Sequence, residues 1–354
     1  MPGPLYVPVL PTRPHALAAY RALRPDVQAQ VVPLWTLPPH PGMRPQPLAQ
    51  ALRKDAGRVA AAHRHGPAWL DAPFADEGEA AVLAGVLPPD WWAERRTPRP
   101  VTGPDRPTAQ RSWALAAAQQ QGCGLGIRVS VPGEWNDRTT TSARRLLERT
   151  DPTLPVHLLL DLGAVLPSRP DASKEALRAL DALVPLASWR TVAVASGGFP
   201  EPPEDFREGT LYEAPRPDWE TWHEIRHSGR SYLPLLRYGD YGILPAAYTA
   251  RTPASGNGGP AWGVLRYTTP RSYLLAMALQ RGTHRDAVNR AAARSLTGLP
   301  DFRGPSAGAG EGWLRDCAQG SVTTGNHSVW NRVGNMQHMT FVVSSLTARS
   351  DNEP

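Results

Sequence analysis

Five acidic residues, Asp71, Asp105, Glu134, Asp161 and Asp240, stand at or just past the ends of short apolar runs. Carboxylates that converge on one face can hold a divalent metal or act as general acid and base, the needs of hydrolysis. Asp161 and Asp240 are the pair expected to do so. Asp161 is the sharper of the two, because a carboxylate between Leu160 and Leu162 in an apolar run is costly unless it is paired or functional. His338, between Val333 and Phe341, is either an acid/base group or a hydrogen-bonded core histidine. Any one of the acids has a plainer alternative, capping the helix that follows it or pairing with a nearby arginine.

Ligand contacts are expected beside these groups. Ser196-Gly197-Gly198 could offer backbone N–H groups to a phosphate, although a Gly-Gly pair also makes an ordinary turn. Asp71, Arg237 and Tyr241 complete the candidate set. The glycine-rich stretch from Gly304 to Gly310 lacks the Gly-Lys-Ser/Thr ending of a phosphate loop and reads as a mobile connection. Neither Gly-x-Ser-x-Gly nor His-Glu-x-x-His occurs. His63 and His65 read as helix-end residues whose charge meets the helix dipole.

The elements that must position these groups alternate in type. Strands are expected at Tyr6–Leu10, Val31–Leu37, Ala68–Phe74, Arg99–Gly103, Gly126–Val131, Val156–Leu162, Thr191–Ala195 and Tyr232–Tyr238. Helices fall between them, including one over 47–63 with Leu48, Leu52 and Val59 on one face. Val156–Leu162 is apolar on both faces, as an interior parallel strand requires. Eight such alternations in the first ~245 residues fit a (β/α)8 TIM-like barrel, with a doubly wound parallel sheet as the alternative. In a barrel the strand-to-helix loops form the concave face, which is where the acids lie.

Residues 246–348 read as a C-terminal α+β extension packed on the barrel, and 349–354 as a disordered tail. Within the extension the pattern predicts a strand at Trp262–Thr268, a helix at Ser272–Gln280, a helix at Asp286–Leu296 and a strand at Thr340–Leu346.

Composition bounds the setting. The 354 residues include only two cysteines, Cys123 and Cys317, too few for a disulfide framework or a cysteine-rich zinc site, so both read as buried thiols. A mean hydropathy of −0.38 without a long apolar run speaks against a membrane partner, and the proline-broken start shows no leader pattern, so the cytoplasm is expected. The net charge of +6 would suit nucleic acid or a nucleotide. The basic clusters around Arg95, Arg96 and Arg99, at Arg144 and Arg145, and at Arg285, Arg290 and Arg294 are nevertheless short enough to be solvated faces. Trp91, Trp92, Trp219 and Trp222 are core or rim residues, or else a stacking platform for bases.

With these residues in view, the chain resembles the beta family proteins of bacteria and their phages over almost its whole length. The likeness rests on Tyr-Val-Pro-Val-Leu at 6–10, Val-Val-Pro-Leu at 31–34, Leu-Leu-Asp-Leu-Gly at 159–163 and Gly-Asp-Tyr-Gly-Ile at 239–243. It continues through Phe-Arg-Gly at 302–304, Cys-Ala-Gln-Gly at 317–320, and Gly325, Asn326, Trp330, Val333, Gly334 and His338. The resemblance implies a setting beside mobile-element and phage-defence genes, with a partner from such a system, and no particular reaction. It keeps Asp71, Asp161, Asp240, Asn326 and His338, and so adds Asn326 as a ligand contact. It departs at Ala16 and Thr36, where members carry acids, and at Gln337, where they carry a histidine.

Two functions follow, and a third is weaker. One is a hydrolase or phosphodiesterase-like enzyme acting on a phosphorylated or nucleic-acid ligand. Another is a non-catalytic binding or sensor protein using the same face, for which the missing acids at 16 and 36 make sense. The last is a subunit of an antiphage defence complex.

Overall fold

The structure is a computed structural model that describes residues 5–63, 66–88, 98–122, 124–250 and 261–350. Cys123, His65, Trp91, Trp92, Arg95 and Arg96 lie outside the described residues, as do the last four positions of the expected tail.

Eight parallel strands close into a barrel. They are β1 (Tyr6–Pro11), β2 (Leu34–Thr36), β3 (Trp69–Asp71), β4 (Arg99–Thr102), β5 (Leu125–Ser130), β6 (Val156–Ala164), β7 (Thr191–Gly197) and β9 (Leu236–Asp240). Period-two alternation sorts their side chains. In β6, Leu158 and Leu160 point outward under the helices, while Leu159 joins Val7, Val9, Leu34, Trp69, Val101, Ala193 and Ala195 inside. Both faces are therefore apolar, as the sequence of β6 demands. Helices α1 (Pro14–Arg21), α2 (Pro25–Gln28), α3 (Pro45–Ala62), α4 (Glu77–Val86), α5 (Thr108–Gln121), α6 (Asp137–Glu148), α7 (Ala172–Leu183) and α8 (Pro217–Arg226) surround this wall.

The last strand of the barrel starts later than Tyr232. A short 3-10 turn at Leu233–Leu235, built on Pro234, precedes β9 and shifts it to 236–240. Between β7 and β9 the chain makes β8 (Leu211–Pro215), which leaves the barrel and pairs antiparallel with β11 (Ser272–Leu279), itself paired with β10 (Trp262–Thr268). The C-terminal layer thus takes one strand from the barrel segment.

Two expectations for this layer are overturned. Ser272–Leu279 is a strand, not a helix: its Leu, Ala and Met residues favour a helix in isolation, but pairing on both edges and burial on both faces override that preference. Thr340–Leu346 belongs to the long helix α11 (His327–Ser350), not to a strand. Its β-branched run reads locally as strand, yet Trp330, Val333, Met336, Met339 and Val342 recur at helical spacing and are buried.

The stretch expected to be a mobile connection is also anchored. Helix α10 (Ala309–Gln319) begins inside it, and Arg303 pairs with the buried Glu311. Helix α9 (Arg285–Thr297) completes the layer. Among the described residues no helix is long and apolar enough to cross a membrane.

Candidate functional site

The carboxyl ends of the barrel strands enclose a pocket of about 380 Å³ whose floor is built around one arginine. Arg128 stands on the inward-facing side of β5 and is buried. Its Nη1 donates to Asp71 Oδ2 at 2.8 Å, and its Nε and Nη2 donate to Asp161 Oδ2 at 3.0 and 2.7 Å. Nη2 also reaches the Tyr241 hydroxyl at 2.9 Å, and that hydroxyl donates to Asp161 Oδ1 at 2.6 Å. The N–H of Gly163, a residue in the left-handed region at φ 64°, closes the shell on Asp161 Oδ1 at 2.8 Å.

The electrostatics follow from this shell. Burial acts to raise the Asp161 carboxyl, but Arg128, the Tyr241 hydroxyl and the Gly163 N–H outweigh it and hold the group below its ordinary value. Burial likewise acts to lower Arg128, and Asp161, Tyr241 and Asp71 together push it well above the usual range. The Tyr241 hydroxyl is pushed upward by burial and by Asp161. A locked, ionised carboxylate and a locked guanidinium result.

Arg106, which follows β4, is less committed. It contacts Asp71 Oδ2 at 3.2 Å, and Pro73 O and Asp105 Oδ2 at 3.4 Å each, while its buried Nε, like Asp71 Oδ1, has no hydrogen-bond partner among the described residues. Phe74, Ser130, Ala246 and Thr249 contribute further lining.

Asp240 is elsewhere. Asp161 lies in register with Ala195 and Gly239, and these face inward; Asp240 is one residue on, in register with Pro8 and Ser196 on the outward side. The carboxylate accepts from Tyr6, from Gly242 N at 2.9 Å and lies 2.8 Å from His338 Nε2, whose Nδ1 lies 2.8 Å from the Thr268 hydroxyl. Burial and Asp240 raise the Tyr6 hydroxyl well above its usual value.

A second buried acid, Asp218, accepts from Tyr273 at 2.5 Å and Tyr238 at 3.4 Å, and burial outweighs Arg216 to raise its carboxyl. Arg216 itself lies over the rings of Trp219, Tyr273 and Phe341. This network joins the outer wall of the barrel to the C-terminal layer. The structure therefore brings Asp71, Asp161 and Tyr241 together, and pairs Asp240 with His338 in a separate place.

Other candidates sit in structural positions. Gly197 packs on Ala246 and Tyr241, and a Cβ at Gly198 would lie 2.0 Å from the Asp218 carboxylate, so that loop is filled by protein and backed by an acid. Ser196 is buried on the outward side with Asp240. Arg237, near the amino end of β9, bonds the carbonyls of Pro234 and Leu236 at the opposite rim. Asn326 caps α11, accepting from Ser328 N at 3.0 Å and Val329 N at 3.2 Å. Glu134 pairs at the surface with Arg178.

Thr36 donates to Leu10 O, Ala16 is buried, and Gln337 brackets the backbone of Thr268 with two 2.9 Å bonds. His63 accepts from Trp35 Nε1 at 2.8 Å, and burial holds it at about 3, so it is neutral and no partner for the helix dipole. Trp219 and Trp222 pack on Tyr238 as core, and Cys317 is a buried free thiol.

Reading the sequence missed Arg128 and Arg106. The signal for Arg128 was the one used for Asp161, a charge set among apolar residues in a strand. A divalent metal does not fit this donor set: the Arg128 guanidinium stands between Asp71 and Asp161, and among the described residues no cluster of three or more His, Cys, Asp or Glu is placed to hold an ion.

No curated protein matches the chain. The family model described as Beta protein matches residues 6–344. That span holds all eight barrel strands and the C-terminal layer except the end of α11, and the chain belongs to the Beta protein family.

Proposed function

We propose that this protein is a binding barrel whose mouth takes a small anionic ligand with a flat apolar part, of the nucleotide kind. The supporting observation is the salt-bridged floor. Arg128 pairs with both Asp71 and Asp161, so a guanidinium already neutralises the floor, whereas Arg106 keeps an Nε–H without a partner among the described residues beside a pocket of about 380 Å³. A carboxylate held below its ordinary value is a weak general base near neutral pH, which favours binding over hydrolysis. Phe74 gives the apolar part a ring to lie on, Ser130 adds a hydroxyl, and the volume falls within the range of small-molecule sites.

Thermal shift and calorimetry with nucleoside mono- and diphosphates, short DNA and RNA, and divalent metals test this. Stabilisation by a nucleotide is expected without metal, lost in Arg106→Gln and kept in Asp240→Asn. Metal-dependent cleavage of a phosphodiester substrate that Asp161→Asn abolishes would overturn the proposal in favour of a hydrolase.

A further inference from the structure

A second polar cavity, of about 740 Å³, lies in the C-terminal layer, where the start of α9 meets the turn after α10. Its lining is Arg285, Asp286 and Arg290 from α9, and Ser321, Thr323 and Thr324 from the turn. Both arginines are anchored from behind. Arg285 donates through Nε to Leu279 O at 3.2 Å and through Nη2 to Gly325 O, and Arg290 donates through Nη1 to Cys317 O at 3.3 Å. Anchoring by carbonyls leaves the positive charge in place and fixes the forks before any ligand arrives, which lowers the cost of ordering them.

Asp286, the one acid among the described lining residues, accepts from the Thr324 hydroxyl at 2.5 Å and lies 3.8 Å from Arg285 Nη1, so one arginine charge is partly met and the lining stays net positive through Arg290. Arg294, one helical turn beyond Arg290, bonds Ala318 O at 3.4 Å and adds a third guanidinium to the same face. Gly320, at φ 88°, closes α10 so tightly against Arg290 that a Cβ there would lie 2.9 Å from Nη1.

From this juxtaposition of fixed guanidiniums and hydroxyls we infer that the groove binds the phosphate group of a small ligand. A phosphate is a compact acceptor with several oxygens, matched by forked donors and hydroxyls. Among the described residues no aromatic side chain lines the groove and Val322 is the one large apolar side chain there, so recognition falls on phosphate and hydroxyl groups and not on a base. This site stands apart from the barrel mouth and does not depend on the function proposed for it.

Calorimetry on the full chain tests the inference with inorganic phosphate, a sugar phosphate, the matching neutral sugar and a short single-stranded oligonucleotide. Phosphate or sugar phosphate is expected to bind, with the neutral sugar silent, and a sugar phosphate stronger than free phosphate identifies a phosphomonoester as the source. Affinity should fall at least tenfold in Arg290→Gln. It should fall as far in Thr323→Glu, which sets a carboxylate in the groove at an exposed position, and stay unchanged in Arg145→Gln, which removes an exposed arginine of α6. Absence of binding by both phosphates at millimolar concentration, affinities within twofold of the parent in Thr323→Glu, or preference for the oligonucleotide with steep salt dependence would each overturn it.

Discussion

Asp161 and Asp240 stand at nearly the same height of the barrel wall, on strands one apart, and differ by which way the pleat turns them. The inward acid meets a cation and borders a pocket, with 11% of its side chain exposed; the outward acid meets a tyrosine, a histidine and a glycine N–H under the C-terminal layer, with 2% exposed. Position at a strand's carboxyl end is therefore not enough to make a residue functional in a barrel. The face of the wall decides whether the same chemical group borders the pocket or holds two layers together.

The comparison breaks most visibly at Arg128. Arg128→Met leaves Asp71 and Asp161 buried without their cation and is expected to cost about 3–5 kcal/mol in urea unfolding. The triple change with Asp71→Asn and Asp161→Asn should recover much of that loss, and failure to recover would mean that Arg128 acts through packing.

Asp240→Asn comes next. Its amide sets an N–H against donors, and a loss of about 2 kcal/mol is expected with nucleotide affinity at the mouth unchanged. A weakened affinity at full stability would contradict the division between the two faces.

Acidity separates the two regions by sign. Asp161 has a lowered native value, so its contribution is complete above the ordinary carboxylate range and is lost as pH falls through that lowered value. Asp218 has a raised native value, so the folded state holds its proton more tightly, and the wall loses stability as pH rises through the ordinary carboxylate range towards that value.

Both effects lie on a shared background. Burial, with Arg21 near one and Arg99 and Arg190 near the other, holds His63 and His157 at about 3 against an ordinary 6.5. The unfolded chain binds the extra protons, so stability falls as pH drops from 6.5 towards 3. Stability curves of Asp161→Asn and Asp218→Asn against the parent should diverge in opposite directions at acid pH; parallel curves would remove the contrast. The smallest effect belongs to Asn326→Ala, about 1 kcal/mol from a lost helix cap, with ligand affinity untouched.

Much of this was legible in the residues. The alternation of strands and helices, the two-sided burial of Val156–Leu162 and the expense of a buried Asp161 all follow from local pattern. The split between Asp161 and Asp240 was not, because a strand apolar on both faces carries no mark of which is inside, and register with neighbours fixes it. Arg128 was passed over because an arginine in a short strand also suits an exposed rim. Ser272–Leu279 escaped because its Leu, Ala and Met residues favour a helix, and of its two partners the hairpin mate β10 leaves one edge unexplained, while β8 is distant in sequence and lies in a segment that gave no strand signal.

That distant partnership bears on how the chain is made. β8 emerges from the ribosome before β9 closes the barrel, yet its one sheet neighbour among the described residues, β11, comes later still. A chain stopped after the barrel would leave this edge without its mate, a template for intermolecular pairing. Folding is thus obliged to wait on contacts of long sequence separation, which are slow to form, and the C-terminal layer works as the clasp that ends the exposure.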